Sequence, residues 1–144
     1  MECEFPRVNS NEEEVKKYLS EYRNIAIVGA SPNPEKDSHI VTKYMIEHGY
    51  NVFPIYPKGE EFLGHKYYRS LKEIEEPVEV VVVFRKPEAV GPIADACIER
   101  GDVKLLWTQK GIVNNAAAEK AKEHGIDVVQ NMCIMVEHRE LLGD

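Results

Sequence analysis

Asn24-Ile-Ala-Ile-Val-Gly-Ala-Ser-Pro-Asn-Pro-Glu-Lys-Asp-Ser38 contains the signals of a strand, a loop and the start of a helix. Residues 25–28 are apolar, uncharged and rich in β-branched side chains, which predicts a short buried strand. The strand ends at Gly29, a loop with two prolines follows, and a helical pattern begins at Ser38. The free N–H groups of a helix's first turn point at such a loop, and the helix dipole favours an anion there. The stretch therefore predicts a phosphate-binding site.

Small residues open this loop. Gly29 allows a tight turn, and Ala30 and Ser31 leave room for a ligand to approach the backbone. The loop differs from the dinucleotide fingerprint G-x-G-x-x-G, because Ser31 and Pro34 stand where the second and third glycines would be. A nucleotide diphosphate fits this loop, and so does an ordinary strand-to-helix turn without a ligand.

The composition is that of a soluble globular protein. The chain has 144 residues, of which 43% are hydrophobic and 30% charged, enough for one domain with a substantial core. The net charge of −7 argues against nucleic-acid binding, which depends on a basic surface. The sequence contains neither a signal peptide nor an apolar run of about 20 residues, so we do not expect a membrane span. Cys3, Cys97 and Cys133 lie far apart and do not predict a zinc site or a disulfide framework, so we expect a reduced, cytoplasmic protein.

Strand and helix patterns alternate along most of the chain. Strands are predicted at residues 25–28, 51–56, 78–84, 104–107 and 126–129. Helices are predicted at residues 10–21, 38–48, 87–100 and 115–123, with a closing turn or short helix at 132–142. This alternation predicts a single α/β domain with a Rossmann-like, doubly wound, mainly parallel sheet of about five strands.

The N-terminal residues predict an arm and a capped helix. Pro6 interrupts residues 1–8, which we expect to be extended or loosely held. Ser10 and Glu13 have the spacing of a capping box, in which each side chain accepts from a backbone N–H group of the other residue. We expect residues 1–23 to pack on the domain formed by residues 24–144.

Basic residues follow four of the predicted strands. They are Lys36, Lys58, Arg85 and Lys110. Ligands of doubly wound sheets bind outside the carboxyl ends of the strands, at the point where the strand order reverses. Positive charge gathered there in an acidic protein predicts a polyanionic ligand, although loops often carry charges without binding anything.

The end of the second strand narrows the choice of ligand. An NAD site needs an Asp or Glu there to bind the ribose hydroxyl groups, whereas this chain has Tyr56, Pro57 and Lys58. A cation in place of a carboxylate favours a ligand with a phosphate on its ribose. NADP and coenzyme A both satisfy this condition, and the glycine-poor first loop favours coenzyme A.

Five stretches of the chain, in their order and spacing, carry a resemblance to a known family. They are Ile25-Ala-Ile-Val-Gly-Ala-Ser-Pro-Asn-Pro34, Gly49-Tyr-Asn-Val-Phe-Pro-Ile-Tyr-Pro57, Val82-Val-Phe-Arg-Lys-Pro87, Leu106-Trp-Thr-Gln109 and Cys133-Ile-Met-Val-Glu-His138. From about Asn24 to its C-terminus, the chain resembles the small stand-alone CoA-binding proteins. Their domain is similar to the N-terminal CoA-binding domain of succinyl-CoA synthetase α subunits.

The resemblance implies that residues 24–144 bind CoA or an acyl-CoA at the carboxyl edge of the sheet. The implied site residues are Gly29, Ala30, Ser31, Lys36 and Ser38 for the diphosphate, Pro57 and Lys58 near the adenosine 3′-phosphate, Phe84, Arg85 and Pro87 beside the nucleotide, and Gln109 and Gly111 on the pantetheine side. The planar fork of its guanidinium makes Arg85 the strongest candidate for a phosphate clamp, followed by Lys36.

The residues do not predict catalysis by this chain. Succinyl-CoA synthetases phosphorylate a histidine of a second domain, which we do not expect here. The sequence shows no Ser-His-Asp pattern, paired carboxylates or metal-ligand spacing, so we expect no catalytic residues and no metal. A thiol near CoA also raises the hypothesis that Cys133 forms a mixed disulfide with it.

The leading interpretation is a CoA-binding or acyl-CoA-binding module, with no nucleic-acid or membrane partner. One alternative is a CoA-binding subunit of an acyl-CoA synthetase-like complex. Another is an NADP-dependent oxidoreductase. A homodimer and a synthetase-like partner subunit are both compatible with the sequence.

Overall fold

The computed structural model describes residues 5–143 and contains one α/β domain. Residues 1–4, with Cys3, and Asp144 lie outside the described residues. The strands are β1 (Asn24–Val28), β2 (Asn51–Ile55), β3 (Glu61–Phe62), β4 (His65–Lys66), β5 (Val80–Val83), β6 (Leu105–Thr108) and β7 (Asp127–Val129). The helices are α1 (Glu12–Glu21), α2 (Asp37–Glu47), α3 (Pro87–Arg100), α4 (Asn115–Glu123) and α5 (Ile134–His138). A 3₁₀ turn covers Leu71–Glu73, and a π-helical turn covers Arg139–Gly143.

Five of the strands form a parallel sheet in the order β2-β1-β5-β6-β7. β3 and β4 form a separate antiparallel hairpin, which lies between β2 and β5 in the chain. The predicted single α/β domain with a five-stranded sheet is therefore confirmed.

Helices cover both faces of the sheet, which is why its strands are mainly apolar. All four valines of β5 are buried, as in a central parallel strand. One set of sheet side chains, including Ile27 and Trp107, packs in a cluster with residues of α1, α2 and α5. The alternate set, including Val28 and Val81, packs with residues of α3 and α4. The two cores fix the strand register, since a shift by one residue would exchange the faces.

The capping box of α1 forms one residue later than predicted. The N-cap is Asn11, whose side chain accepts from the Glu14 N–H, while the Glu14 carboxylate accepts from the Asn11 N–H, both at 2.8 Å. The predicted box of Ser10 and Glu13 is therefore wrong. The Ser10 hydroxyl donates instead to the Val128 carbonyl of β7 at 2.7 Å.

The described part of the N-terminal arm is anchored to the domain rather than loosely held. The Asn9 side chain exchanges two hydrogen bonds with the backbone of Gln130, at 2.9 and 3.1 Å. Gln130 Nε2 donates to the Val8 carbonyl at 2.9 Å, and the Arg7 N–H donates to the Asn115 side chain at 2.8 Å. These contacts fasten residues 7–9 beside the end of β7.

Asp102 connects the start of β6 to the segment before β5. Its carboxylate accepts from Arg100 Nε and Nη2, both at 3.0 Å, and from the Val78 N–H at 3.1 Å. Arg100 also donates to the Leu71 and Ile74 carbonyls, at 2.6 and 2.8 Å. Burial raises the pKa of Asp102, but the hydrogen bonds and charge of Arg100, with the Val78 N–H, outweigh burial and leave this pKa lowered.

We expect this carboxylate to make stability depend on pH. A carboxyl group whose pKa is lowered by folding stabilises the folded state above its unfolded pKa, and that contribution is lost as the pH falls through the folded pKa. Asp102→Asn should therefore lower the free energy of unfolding at pH about 7, and its difference from the wild type should shrink toward pH about 3. Denaturant titrations across this range measure the difference.

Asp95→Asn is the matched control. Asp95 forms an exposed ion pair with Lys120, a type of contact that contributes little to stability. We expect it to change the free energy of unfolding little at either pH. A loss for Asp102→Asn that stays constant across the range would contradict the lowered pKa of Asp102.

Candidate functional site

The order in which strands are added to the sheet reverses between β1 and β5, whose carboxyl ends lie side by side. β1 is followed in the chain by β2 on one side of it, while β5 pairs on the other side. Val28 is paired with Val83, and the Phe84 N–H donates to the Val28 carbonyl at 2.9 Å. A doubly wound sheet opens a crevice at such a point. The loops that follow β1, β2, β5 and β6 surround it.

Gly29 lets the first loop bend back between these strand ends. Its φ is +94°, a conformation that costs glycine little. The N–H groups of Gly29 and Ala30 both donate to the Ile55 carbonyl, at 2.9 and 3.1 Å. A Cβ atom at position 29 would lie 3.0 Å from the Phe84 carbonyl oxygen. The site therefore requires glycine here for its φ and for the close approach of β5.

The remainder of the loop is braced by side chains from the first turn of α2. Ser38 Oγ accepts from the Ser31 N–H at 3.1 Å, and His39 Nδ1 donates to the Ser31 carbonyl at 3.0 Å, since a carbonyl can only accept. The backbone N–H groups of Asp37 and Ser38 have no partner in the described part of the chain. These two amides at the N-terminus of α2 are available to an anion.

The first of two clefts at this edge is lined by arginines. It has a volume of about 310 Å³. Its walls are formed by Gly29, Ile55, Tyr56, Pro57, Arg69 and Arg85. Within residues 5–143, neither arginine forms an ion pair. Two guanidinium groups without carboxylate partners give this cleft the chemistry of a phosphate site.

The second cleft is mainly apolar and lies on the β6 side of Phe84. It has a volume of about 330 Å³. Its walls are formed by Asp37, Ile40, Val41, Phe84, Gln109, Lys110, Ile112, Cys133 and Met135. The two clefts adjoin at the end of β5, because Arg85 lines the first and Phe84 lines the second.

Gln109 presents a fixed hydrogen-bond donor in the second cleft. The residue is only 4% exposed, and its Oε1 accepts from the Ile134 N–H at 3.0 Å. That bond orients the side-chain amide, because only the oxygen can accept. Its Nε2 has no partner among the residues that the structure describes, so it can donate to a carbonyl oxygen of a ligand in the cleft.

Five of the twelve predicted site residues line the clefts. Gly29, Pro57 and Arg85 line the first cleft, and Phe84 and Gln109 line the second. Three more lie in the loop after β1 or in the first turn of α2 without lining either cleft. They are Ala30, Ser31 and Ser38, all buried.

The other four predicted residues lie near this edge but outside both clefts. Lys36 is the exposed N-cap of α2, and Lys58 is exposed after β2. Pro87 is the first residue of α3, and its carbonyl accepts from Asn114. The Gly111 N–H donates to Asn131 Oδ1 at 2.6 Å. Of the four basic residues that follow the strands, only Arg85 and Lys110 line a cleft.

A family model described as a CoA binding domain matches residues 23–139, most of the chain. The chain belongs to this CoA-binding family. Small proteins of similar length are among its relatives. Uncharacterized protein YneT of Bacillus subtilis is 39% identical over 90% of this chain and 96% of its own length. A hypothetical protein of Pyrococcus horikoshii has a solved structure with a TM-score of 0.90 and 43% identity, over 99% of this chain and 100% of that one.

The CoA-binding domain also has relatives among larger enzymes. The α subunit of ADP-forming acetate–CoA ligase II of Pyrococcus furiosus is 34% identical over 74% of this chain. The match covers 23% of that subunit, so this domain corresponds to a minor part of it. The resemblance to CoA-binding proteins and synthetase subunits is therefore confirmed.

Arg69 is the main residue of the CoA-binding domain's clefts that the sequence interpretation missed. It follows the β3–β4 hairpin and does not follow a strand of the main sheet. Tyr68 forms an isolated parallel bridge with Ile55, which carries Arg69 to the end of β2. A bridge of a single residue pair leaves no periodic pattern in the sequence. Ile40 and Met135 of the second cleft were missed because they lie on helices.

Two features are absent from the part of the chain that the structure describes. Within the described range, no helix has the length and apolar character needed to cross a membrane. Among the same residues, no group of three or more His, Cys, Asp and Glu side chains could hold a metal ion.

Proposed function

We propose that this member of the CoA-binding family binds coenzyme A, free or as an acyl thioester, as a binding module. The observation that carries the proposal is the pair of clefts at the carboxyl edge of the sheet, one containing two arginines and the other lined mostly by apolar side chains. Coenzyme A has the same division, with a polyanionic nucleotide at one end and a neutral pantetheine arm at the other. Membership of the family supports the choice of ligand.

The chemistry of the clefts supports one orientation of the ligand. The phosphorylated adenosine would occupy the first cleft, where Arg69 and Arg85 can bind phosphate oxygens. The free amides of Asp37 and Ser38 would face the diphosphate. The pantetheine arm would cross the second cleft, where Gln109 Nε2 can donate to an amide carbonyl. Asp37 and Lys110 also line this cleft and carry opposite charges, whereas the first cleft has two arginines and no acidic residue, so we expect the anionic groups to lie on the arginine side.

Calorimetric titration with CoA, dephospho-CoA and NADP⁺, after removal of any co-purified ligand, tests the proposal. We expect CoA to bind in a one-to-one complex and NADP⁺ to bind far more weakly. Binding of NADP⁺ in preference to CoA would support the oxidoreductase alternative. Absence of binding by all three ligands would overturn the proposed function.

Thiol labelling gives an independent test of the second cleft. Cys133 is half-buried and lines this cleft, whereas Cys97 is fully buried in α3. Burial raises the pKa of Cys97 to about 12, which leaves almost none of its thiolate at pH about 8. We expect N-ethylmaleimide to modify Cys133 and not Cys97, as read by peptide mapping. Saturating CoA should protect Cys133.

Cys97 supplies the internal control of this experiment, because labelling of this buried thiol would report unfolding of the chain. Equal labelling of Cys133 with and without CoA would place the ligand outside the second cleft.

Peptide mapping after treatment with CoA disulfide tests the hypothesis that Cys133 forms a mixed disulfide with CoA. Attack by the Cys133 thiolate would leave one CoA on this residue and release the other as a thiol. Absence of this mass increase would contradict the hypothesis.

A second candidate role is that of a CoA-binding subunit in an acyl-CoA synthetase-like complex. The match to the α subunit of an acetate–CoA ligase favours it. In that role the chain would bind CoA for a partner that performs the chemistry. Isolation of the chain with its native associates, followed by an assay of ADP-forming acyl-CoA synthesis, tests this role. Recovery of the chain alone and without this activity would leave the binding module as the better description.

A further inference from the structure

Arg69 is held in the first cleft by two backbone carbonyls. Its Nη1 donates to the Tyr56 carbonyl at 3.0 Å, and its Nη2 donates to the Gly59 carbonyl at 2.7 Å. These carbonyls lie on either side of Pro57 and Lys58, so the guanidinium spans the loop that follows β2. The two bonds use two of about five N–H donors and leave the others for a ligand. Arg69 is exposed, and these two bonds position its charge in the cleft.

The charge of Arg69 is not neutralised by the protein. No carboxylate in residues 5–143 forms an ion pair with its guanidinium. Glu73, four residues on, accepts from the backbone N–H of Arg69 at 3.0 Å. Carbonyl groups fix the orientation of the guanidinium without cancelling its charge, which favours an anionic ligand.

The position of Arg69 beside the carboxyl end of β2 indicates which phosphate it would bind. In dinucleotide sites the loop after the second strand contacts the ribose hydroxyls of the adenosine. Here the guanidinium of Arg69 is hydrogen-bonded to that loop, while Arg85 follows β5 on the other side of β1. The two arginines are therefore placed for different phosphates, with Arg69 on the ribose side and Arg85 near the loop of Gly29. The exposed Lys58 does not line the cleft.

We infer that Arg69, and not Lys58, binds the ribose 3′-phosphate and makes the site select CoA over ligands that lack this group. The inference rests on the proposed function and adds the residue that sets its specificity. It proposes a different residue from Lys58, which the sequence analysis expected near the 3′-phosphate. The sequence pattern pointed to Lys58 because it follows β2 directly, whereas the bridge between Ile55 and Tyr68 brings Arg69 there.

The test compares Arg69→Gln with Lys58→Gln, which remove the same charge from neighbouring positions. Affinities for CoA and dephospho-CoA are measured by calorimetry. We expect Arg69→Gln to weaken CoA binding by about 10-fold or more and to leave dephospho-CoA binding within about 2-fold, so that selectivity is lost. Lys58→Gln should retain the selectivity of the wild type.

The outcomes separate a phosphate-binding role from a structural role. Equal weakening of both ligands by Arg69→Gln would show that this residue only holds the loop, and would overturn the inference. Loss of selectivity in Lys58→Gln with its retention in Arg69→Gln would also overturn it. If Arg69→Gln does not fold, Arg69→Lys gives the same comparison, because lysine keeps the charge but lacks the planar fork; we expect reduced selectivity.

The experiment distinguishes failure of the inference from failure of the proposed function. A wild-type protein that binds CoA and dephospho-CoA equally would retain the proposed function and refute the inference. A wild-type protein that binds neither would refute both. Selective binding by the wild type, with unchanged selectivity in Arg69→Gln, would refute the inference alone.

Discussion

Gly29→Ala is expected to lower the free energy of unfolding by about 2–5 kcal/mol, because two penalties combine at this position. A residue with a Cβ atom is strained at a φ of +94°. The new methyl group would also lie 3.0 Å from the Phe84 carbonyl oxygen and 3.2 Å from the Phe84 Cβ. The loop cannot easily move away, since the Gly29 N–H donates to Ile55 and the Phe84 N–H donates to Val28. Denaturant unfolding measures the loss.

Gly49→Ala is the matched control for this substitution. Gly49 has a φ of +90°, but a Cβ atom there would meet nothing within 4 Å. We expect it to carry only the conformational penalty, about 1–2 kcal/mol. The excess loss in Gly29→Ala then measures the close approach of β5. Equal losses in the two variants would show that Phe84 does not crowd position 29.

Any displacement of the Gly29 loop should also weaken the binding of CoA. Gly29 lines the first cleft, and its loop leads to the free amides at the start of α2. We expect CoA binding by folded Gly29→Ala to be weaker than that of Gly49→Ala. Titration at a temperature where both variants are folded makes the comparison. Equal affinities would remove the Gly29 loop from the proposed site.

Arg85→Gln is expected to weaken CoA binding by about 10- to 100-fold, the range for loss of hydrogen bonds to a charged group. Arg85 is exposed, lines the first cleft and has no hydrogen bond or ion pair among the described residues. Because the Arg85 side chain contributes no such bond to the folded protein, the free energy of unfolding of Arg85→Gln should differ from that of the wild type by less than about 0.5 kcal/mol. A large loss of affinity without a loss of stability would mark Arg85 as a ligand-binding residue.

Arg7→Gln is the control for the change in net charge. Arg7 lies on the N-terminal arm, where its side chain is 67% exposed and pairs with Glu119 at 3.1 Å. We expect Arg7→Gln to bind CoA like the wild type. Similar losses in the two variants would indicate general charge attraction, which added salt screens, rather than contact at Arg85. Unchanged affinity in Arg85→Gln would place the phosphates elsewhere.

The sequence determined the architecture because its signals are local and repeated. The uncharged run of β1 and the valines of β5 predict strands buried on both faces, and the alternating helices require crossovers between parallel strands. The position of the first loop followed from Gly29. The strand-end rule then identified the residues around the crevice before any contact was known. Arg85 was identified in this way, and the family resemblance added Phe84 and Gln109.

The sequence could not choose between groups with similar local chemistry. Ser10 and Asn11 are both good N-cap residues, and each has a glutamate three positions later. Asn11 forms the cap because the Ser10 hydroxyl is bonded to Val128, a residue 118 positions away in the chain. A hydrogen bond to a distant strand therefore decided between two equivalent patterns.

The sequence was equally unable to choose between Lys58 and Arg69 as the cation beside the end of β2. The sequence placed a cation after β2, and Lys58 is the nearest along the chain. The tertiary structure puts Arg69 in the cleft instead, because the hairpin folds back, Tyr68 bridges to Ile55, and two carbonyls orient the guanidinium. Periodic burial fixed the strands and the edge of the sheet that is available to a ligand. Long-range hydrogen bonds and packing decided which side chains line that edge, since these contacts join residues whose spacing follows no repeating pattern.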